Sequence, residues 1–374
     1  MTETGEEILA ERTKKETDEK CPQCGAVLDF DPGSGGLVCA YCGYKGVILV
    51  DENAVVQELA FESAEYRESI DWGTEKKQII CQSCGAASIY DQLAIANECP
   101  FCGSNQVMQE RGVDSLAPNA VAPFEISVEK AAEHFSFWLK RQIFAPSKAK
   151  RQAKADRFKG VYLPFWTFDA NTYSTYQARY GRDRRVRQKD GSYRTETDWY
   201  STSGSYDYFI DDVTVMGSTR HDPRNLKRIE PYDFQRLKPY RPEYLAGFVS
   251  ERYSVGIDDA WPQAKDQIAN FLDGQISQHI RNVNRADRVS GLRFSTNYSD
   301  RTYKYTLLPL WMSSFSYKDK IHEFLVNGQT GKVSGSVPIS IIRVIIAVLL
   351  VLAIVLAVLY VANDGFPFLS TARY

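Results

Sequence analysis

All eight cysteines of this chain belong to one pattern that occurs twice. The copies are Cys21-Pro-Gln-Cys24-Gly with Cys39-Ala-Tyr-Cys42-Gly, and Cys81-Gln-Ser-Cys84-Gly with Cys99-Pro-Phe-Cys102-Gly. Each copy has two residues inside each pair and fourteen between the pairs, and the copies lie sixty positions apart. No cysteine is left over, so any structure proposed for the chain has to use them in two matched sets of four.

This spacing predicts metal binding for a geometric reason. In a Cys-x-x-Cys-Gly turn both sulfurs converge on one ion, backbone N–H groups point at them, and the glycine supplies the positive φ that the turn needs. Two such turns close a tetrahedral four-cysteine shell without an open position, as in structural zinc sites. The sequence therefore predicts two zinc ions, held by Cys21, Cys24, Cys39 and Cys42 and by Cys81, Cys84, Cys99 and Cys102, and it argues against hydrolysis at these metals.

Two other uses of the cysteines stay open, and one is excluded. Iron in a rubredoxin-like site would use the same turns, and disulfides would suit an oxidising compartment. A thioredoxin-type redox motif needs one Cys-x-x-Cys at the start of a helix, whereas four occur here in matched pairs. The number of these motifs therefore excludes a thioredoxin-type redox site.

The C-terminal region contains a stretch that predicts a membrane span. Residues 344–362 carry no charge, and 14 of these 19 residues are Val, Ile or Leu. As a helix they extend about 28 Å, close to the ~30 Å hydrocarbon thickness of a bilayer. We expect a transmembrane helix at 343–362, an extracytoplasmic tail at 363–374 and a cytoplasmic body, because Arg343 precedes the span and thiolate ligands need a reducing compartment.

The rest of the chain divides by composition. The N-terminus lacks the apolar core of a secretory signal, and the net charge of −2 gives no overall preference for polyanions. Seven segments are predicted: a charged tail at 1–19, ribbon 1 at 20–50, an acidic connector at 51–76, ribbon 2 at 77–110, an α+β body at 117–338, the span and its tail. In ribbon 1, strands at 26–30 and 37–38 flank a turn rich in glycine.

A second internal repeat is expected in the body, with halves at about 117–229 and 243–338. Helices opening near 123–131 and 253–260 each lead to a strand motif, Tyr162-Leu-Pro-Phe-Trp166 or Leu307-Leu-Pro-Leu-Trp311. The helices are offset by 129 positions and the motifs by 145, so the halves match only with an insertion. Chance recurrence in aromatic-rich sequence is the alternative.

Two clusters of basic residues interrupt this nearly neutral chain. Arg182, Arg184, Arg185, Arg187 and Lys189 surround Asp190-Gly191, which is typical of a hairpin tip. A second cluster, between 148 and 159, follows the first body helix. Solvated surface, anionic lipid headgroups and nucleic acid are the three interpretations of these charges.

Motifs that would indicate catalysis are absent from the sequence. The histidines, His134, His221, His279 and His322, lie apart from the cysteines, and none forms a zinc-protease or deaminase motif. The segment 328–333 is two residues too short for a nucleotide-binding phosphate loop and lacks its hydroxyl. We therefore expect no enzymatic activity.

The two ribbons, the stretches 160–170 and 243–248, and the terminal span together resemble a bacterial family of TFIIB-type zinc-ribbon membrane proteins. Its members are sometimes labelled primosomal protein N′ or superfamily II helicase, and some accompany phage-shock-type and flotillin-like membrane-stress proteins. The resemblance implies a membrane-anchored zinc-ribbon protein.

The expected fold is α+β and multidomain: two tandem rubredoxin-like four-cysteine zinc ribbons, a duplicated α+β body and one C-terminal transmembrane helix. The expected function is a scaffold that binds protein partners at the inner face of the cell membrane, with nucleic-acid binding as the alternative. Protein partners, the lipid bilayer, anionic headgroups and nucleic acid are the expected contacts.

Overall fold

The computed structural model describes residues 20–48, 55–62, 76–81, 87–91, 107–110, 118–152, 158–221, 223–317 and 320–363, with only the backbone for the strands between 76 and 110. Its helices are α1 (Val128–Arg141), α2 (Ser147–Gln152), α3 (Pro223–Ile229), α4 (Ile257–Asn284) and α5 (Ile341–Asn363). Its strands are β1 (Asp29–Asp31), β2 (Gly36–Val38), β3 (Lys45–Gly46), β4 (Leu59–Ala60), β5 (Lys76–Cys81), β6 (Ala87–Asp91), β7 (Val107–Glu110), β8 (Ala120–Val121), β9 (Lys159–Arg187), β10 (Tyr193–Met216), β11 (Lys238–Pro239), β12 (Val249–Glu251), β13 (Arg288–Tyr317), β14 (Lys320–Asn327) and β15 (Val333–Gly335). The mixed α+β class is confirmed.

Three very long antiparallel strands form the centre of the fold. β9 lies between β10 and β13, and its 29 residues correspond to about 95 Å of extended chain. Along 171–179 of β9 exposed and buried residues alternate, because one sheet face is covered by α4 and the other faces solvent. The sequence predicted the strand motif at 162–166 and an alternating strand from there to 179, so the observed strand, Lys159–Arg187, is longer than expected.

The two body helices begin where the sequence predicts. In α1, Ala131, Phe135 and Leu139 are buried, and the Ser127 side chain caps the first turn by accepting from the Lys130 N–H. In α4 a buried stripe runs from Ile257 to Ile280. Phe271, next to the buried Leu272, is exposed and packs on Tyr208.

The two Leu-Pro strand motifs of the body pair with each other. Leu163 lies opposite its equivalent Leu308, and the two flanking pairs, Tyr162 with Pro309 and Pro164 with Leu307, are reciprocal across the β9–β13 ladder. Two short strands extend this symmetry, since β12 runs parallel to β9 at Val161 as β8 runs parallel to β13 at Thr306. These pairs are related by the offsets of 129 and 145 that the sequence shows.

Hydrogen bonds cross between the halves in the same reciprocal manner. The indole Nε1–H of Trp166 donates to the Val255 carbonyl at 2.8 Å, and that of Trp311 donates to the Ile126 carbonyl at 2.8 Å. Each carbonyl belongs to the residue two positions before α4 or α1, so each half fixes the entry of the other half's helix. The Gly217 and Gly328 carbonyls likewise accept from the segments that lead into α4 and α1, respectively.

The remaining described strands attach to this centre. β5 pairs with β6 and β7, and β6 joins the large sheet through β12. The connector contributes residues 55–62, in which β4 pairs with β13. After β15 the chain enters α5, whose residues Ile341–Tyr360 have a mean hydropathy of 3.3 and no buried member. One helix is therefore long and apolar enough to cross a membrane.

Candidate functional site

The four cysteines of ribbon 1 converge on one point. Their sulfur atoms all lie within 4.8 Å of one another, with Cys21 Sγ 3.4 Å from Cys42 Sγ and Cys24 Sγ 3.5 Å from Cys39 Sγ. A zinc ion with Zn–S bonds of about 2.3 Å needs sulfurs about 3.8 Å apart at the corners of a tetrahedron. A disulfide would need about 2.05 Å, so this cluster fits a metal ion and not crosslinks.

Both halves of the cluster are built by the same turn. The Gly25 N–H donates to the Cys21 carbonyl at 2.8 Å, and the Gly43 N–H donates to the Cys39 carbonyl at 3.0 Å. Both glycines have φ +73°, a conformation that a side chain would strain. The predicted reason for Gly after each Cys-x-x-Cys thus holds in ribbon 1.

The backbone favours thiolate at the first cysteine of each turn. The Cys42 and Tyr41 N–H groups lower the pKa of Cys39 to about 7. Burial opposes ionisation of Cys21, but the Cys24 and Gln23 N–H groups leave its pKa below the usual value.

The second cysteine of each turn behaves differently. The Tyr44 N–H favours the Cys42 thiolate, yet the neighbouring sulfurs outweigh it and raise the pKa of Cys42 to about 12. Four thiolates this close repel one another, and a divalent cation removes that repulsion. The donor set therefore suits a thiophilic divalent ion.

Ribbon 1 packs against the body at Phe30. Phe30 is buried, its ring lies 5.7 Å from the Tyr244 ring, and its N–H donates to the Ala246 carbonyl at 3.0 Å. Gly247 has φ +79°, and a Cβ there would lie 2.7 Å from Asp29. The stretch 243–248 is thus part of the surface against which ribbon 1 packs.

The second predicted metal site falls mostly outside the described residues. Cys81 ends β5, while Cys84, Cys99 and Cys102 lie outside the described residues. Within the described part of the chain, one four-cysteine cluster is present.

A curated relative covers nearly the whole chain. The chain is 33% identical over 328 residues to the uncharacterized protein YdjG of Bacillus subtilis strain 168, which is 86% of this chain and 90% of the relative. The chain belongs to the YdjG family. No family model matches it, and no solved structure matches it.

The basic hairpin of this YdjG-family chain is the tip of β9 and β10. Gly191 has φ +85° in the turn, and Arg182, Arg184, Arg185, Arg187 and Lys189 are exposed. Part of the charge is compensated, since Arg184 contacts Glu196 at 2.9 Å and Asp198 at 3.0 Å. The tip is also remote from α5. At the other end of β9, Lys159 pairs with Met312 of β13, and this part of β13 pairs with β14, which pairs in turn with β15, the last strand before α5.

A buried charge network that the sequence analysis missed lies at the middle of the sheet. The Lys304 ammonium is 2.8 Å from Asp212, 3.1 Å from Glu58 and 3.3 Å from Asp169, whose exposed fraction is only 1%. Burial raises the pKa of Asp169 despite this cation. Burial alone would lower the pKa of Lys304, but its hydrogen bond to Asp212 and the nearby charges raise it instead.

Two carboxylates of this network, with Asp211, form a cluster that resembles a metal site. Asp169, Asp211 and Asp212 bring oxygens within 4.8 Å of one another, yet Lys304 already supplies positive charge there. A sequence signal did exist, because Asp169 lies between Phe168 and Ala170 and Lys304 lies between two tyrosines.

The histidines do not meet at one site. His134 lies in α1, His279 in α4 against Tyr206, and His322 in β14. His221 is buried, with its Nε2 3.0 Å from the Glu251 carboxylate, and Ser218 Oγ donates to the same carboxylate at 2.6 Å.

The Glu251 network borders a cavity of about 590 Å³, which is lined in part by Ser218, His221 and Glu230. Burial raises the pKa of Glu230. The Ser218 hydroxyl donates to Glu251 and not to His221, so this arrangement is not the serine–histidine pair of a nucleophilic enzyme.

Proposed function

We propose that this protein is a non-enzymatic adaptor, anchored in the cell membrane by α5, that binds protein partners at the cytoplasmic face through zinc ribbons. The observation that carries the proposal is the closed four-cysteine cluster of ribbon 1. Four protein sulfurs fill a tetrahedral shell, so the metal has no position for substrate or water and acts on structure alone.

The outer face of ribbon 1 supports binding to another protein. While Phe30 packs against the body, Tyr41 is 85% exposed within the second cysteine turn and Val47 is 83% exposed just after β3. Apolar side chains held outward on a rigid, metal-stabilised turn favour a protein contact, because aromatic residues dominate the energetics of such interfaces.

Membrane attachment follows from α5 and the compartment from the thiols. The span Ile341–Tyr360 has the length and apolarity to cross a bilayer. Reduced cysteine ligands require the cytoplasm, which places the body inside and residues 363–374 outside.

The body is best explained as two copies of one unit, a strand, a helix and a pair of antiparallel strands, related by an internal twofold axis at Leu163 and Leu308. The reciprocal indole bonds of Trp166 and Trp311 support this reading, because chance recurrence has no reason to reproduce them. We further propose zinc over iron, a second ion at Cys81, Cys84, Cys99 and Cys102, and the domain bounds given above. Partners from a membrane-stress response are our expectation from the TFIIB-type resemblance.

The test is crosslinking in intact membranes followed by purification of the full-length chain. Tyr41→Ala with Val47→Ser should reduce crosslinked partners while the zinc content is unchanged, and Cys81→Ser with Cys99→Ser should reduce partners and zinc together. Val55→Ser, equally exposed but in the connector, is the matched control. Partners that are absent, or equally abundant in all variants, would rule out the adaptor function.

Nucleic-acid binding through the ribbons and the basic hairpin is the alternative. The contacts of Arg184 with Glu196 and Asp198 weaken its support, because these acids already balance part of the charge. It requires an affinity that falls steeply with salt and is lost when Arg184, Arg185 and Arg187 become Glu. Filter binding with DNA and RNA would show this, and binding without salt dependence would exclude it.

A further inference from the structure

The start of α5 is tied to the turn between α1 and α2, residues 142–147, which we name the elbow. Arg343 Nη1 donates to the Ile143 carbonyl at 2.9 Å and to the Ala145 carbonyl at 2.6 Å, and Nη2 donates to Ser147 Oγ at 2.6 Å. The Ser340 N–H donates to the Phe144 carbonyl at 2.9 Å. Four hydrogen bonds therefore hold the elbow beside the residues that enter the apolar helix.

The elbow presents large apolar side chains to solvent although its backbone is held in place. Ile143 is 68% exposed and Phe144 is 39% exposed, whereas Ala145 is buried. The neighbouring Ile339 and Ile341 are exposed as well. Exposed apolar side chains thus flank the Ser340–Phe144 hydrogen bond on both the elbow and the chain that enters α5.

The length of α5 determines how deep the elbow lies relative to the lipid headgroups. Its 23 residues rise about 35 Å, more than the ~30 Å of hydrocarbon, so the first turn lies among the lipid headgroups. Arg343 in that turn extends its guanidinium toward the interface, as arginines at span ends do. Because this guanidinium binds the Ile143 and Ala145 carbonyls, the elbow lies at the same level.

The charges around the elbow suit an anionic bilayer. Lys140 and Arg141 precede it, Lys148 and Arg151 follow it, and all four are exposed. Residues 134–152 contain no Asp or Glu. A segment with apolar side chains between basic ones is typical of interfacial membrane contacts.

We propose that the elbow is a second membrane contact: Ile143 and Phe144 insert among the headgroups of the bilayer that α5 crosses, and the flanking basic residues bind anionic lipid. The inference rests on the membrane anchoring proposed above. It assigns lipid binding to the elbow and not to the basic hairpin, which lies at the other end of β9. Two membrane contacts fix the orientation of the body relative to the bilayer, whereas attachment through α5 alone would let the body rotate.

The experiment uses full-length protein in nanodiscs that carry a diazirine-labelled phosphatidylcholine, with or without phosphatidylglycerol. After illumination, mass spectrometry measures lipid adducts on peptides of the elbow and, separately, of α5. Wild type is compared with Ile143→Ser/Phe144→Ser, with Lys148→Glu/Arg151→Glu, and with Val283→Ser as an exposed apolar control in α4.

We expect adducts on the elbow that fall by about tenfold in the serine variant, while α5 labelling stays constant. The glutamate variant should lose adducts in the anionic discs and not in the neutral ones. An elbow without adducts beside a labelled α5 overturns this proposal and leaves the anchor intact. An unlabelled α5 refutes the membrane anchor itself, and the elbow contact with it.

Discussion

The buried ammonium of Lys304 gives the sharpest test of the body's structure. Lys304→Met removes the charge that balances Asp169, while Asp212 and Glu58 are more exposed and can turn to water. Removing one partner of a buried charge pair costs about 3–5 kcal/mol, because the other charge is left in the interior. For a body of this size that corresponds to a loss of about 6–20 °C in the unfolding temperature.

The pH dependence of this loss follows from Asp169. Its pKa is already raised by burial, so protonation favours the folded state below the unfolded pKa, and this benefit is lost as pH rises through the folded pKa. Without Lys304 the folded pKa rises further. The deficit of Lys304→Met against wild type should therefore shrink as the pH falls and Asp169 takes up a proton.

The assay is thermal unfolding in detergent, followed by tryptophan fluorescence at several pH values. Lys304→Met/Asp169→Asn should recover at least about half of the loss, because no charge is then stranded. The exposed Lys189→Met is the control and should leave the unfolding temperature unchanged. A double variant as unstable as the single one, or a deficit independent of pH, would refute the reasoning.

Two further predictions concern the joints between parts of the fold. Trp166→Phe and Trp311→Phe each leave a carbonyl without its donor, buried at Val255 and partly buried at Ile126, and should each cost about 1–3 kcal/mol in thermal unfolding. The more exposed Trp199→Phe should cost little. A loss in only one of the first two variants would argue against the internal twofold axis. Phe30→Ala removes about 3–5 kcal/mol of packing where ribbon 1 meets the body. It should speed proteolytic cleavage within 20–48 without changing the zinc content, whereas Tyr41→Ala should not speed cleavage. An unchanged cleavage rate in Phe30→Ala would mean that other contacts hold the ribbon.

Much of ribbon 1 and of the body could be predicted because the relevant signals are local. The Cys-x-x-Cys-Gly spacing specifies its own turn, and the apolar stripe of α1 is visible in the period of Ala131, Phe135 and Leu139. The turn at Gly191 and the apolar α5 are likewise written into short stretches.

Long-range pairing could not be predicted in the same way. The sequence of 288–306 does not indicate that this segment is part of β13, a strand of 30 residues that pairs with β9. The register of such a pairing is decided by contacts between residues that are distant in sequence. The Lys304 network and the Phe30 contact are missed for the same reason. The elbow escaped notice because its partner, Arg343, lies about 200 positions away.

The most direct test of the central claim is the metal content of purified full-length protein. Plasma mass spectrometry should find about two zinc ions per chain, falling to about one in Cys39→Ser and staying at two in Val55→Ser. A wild-type chain without bound metal, or a Cys39→Ser chain with its zinc content unchanged, would contradict the account.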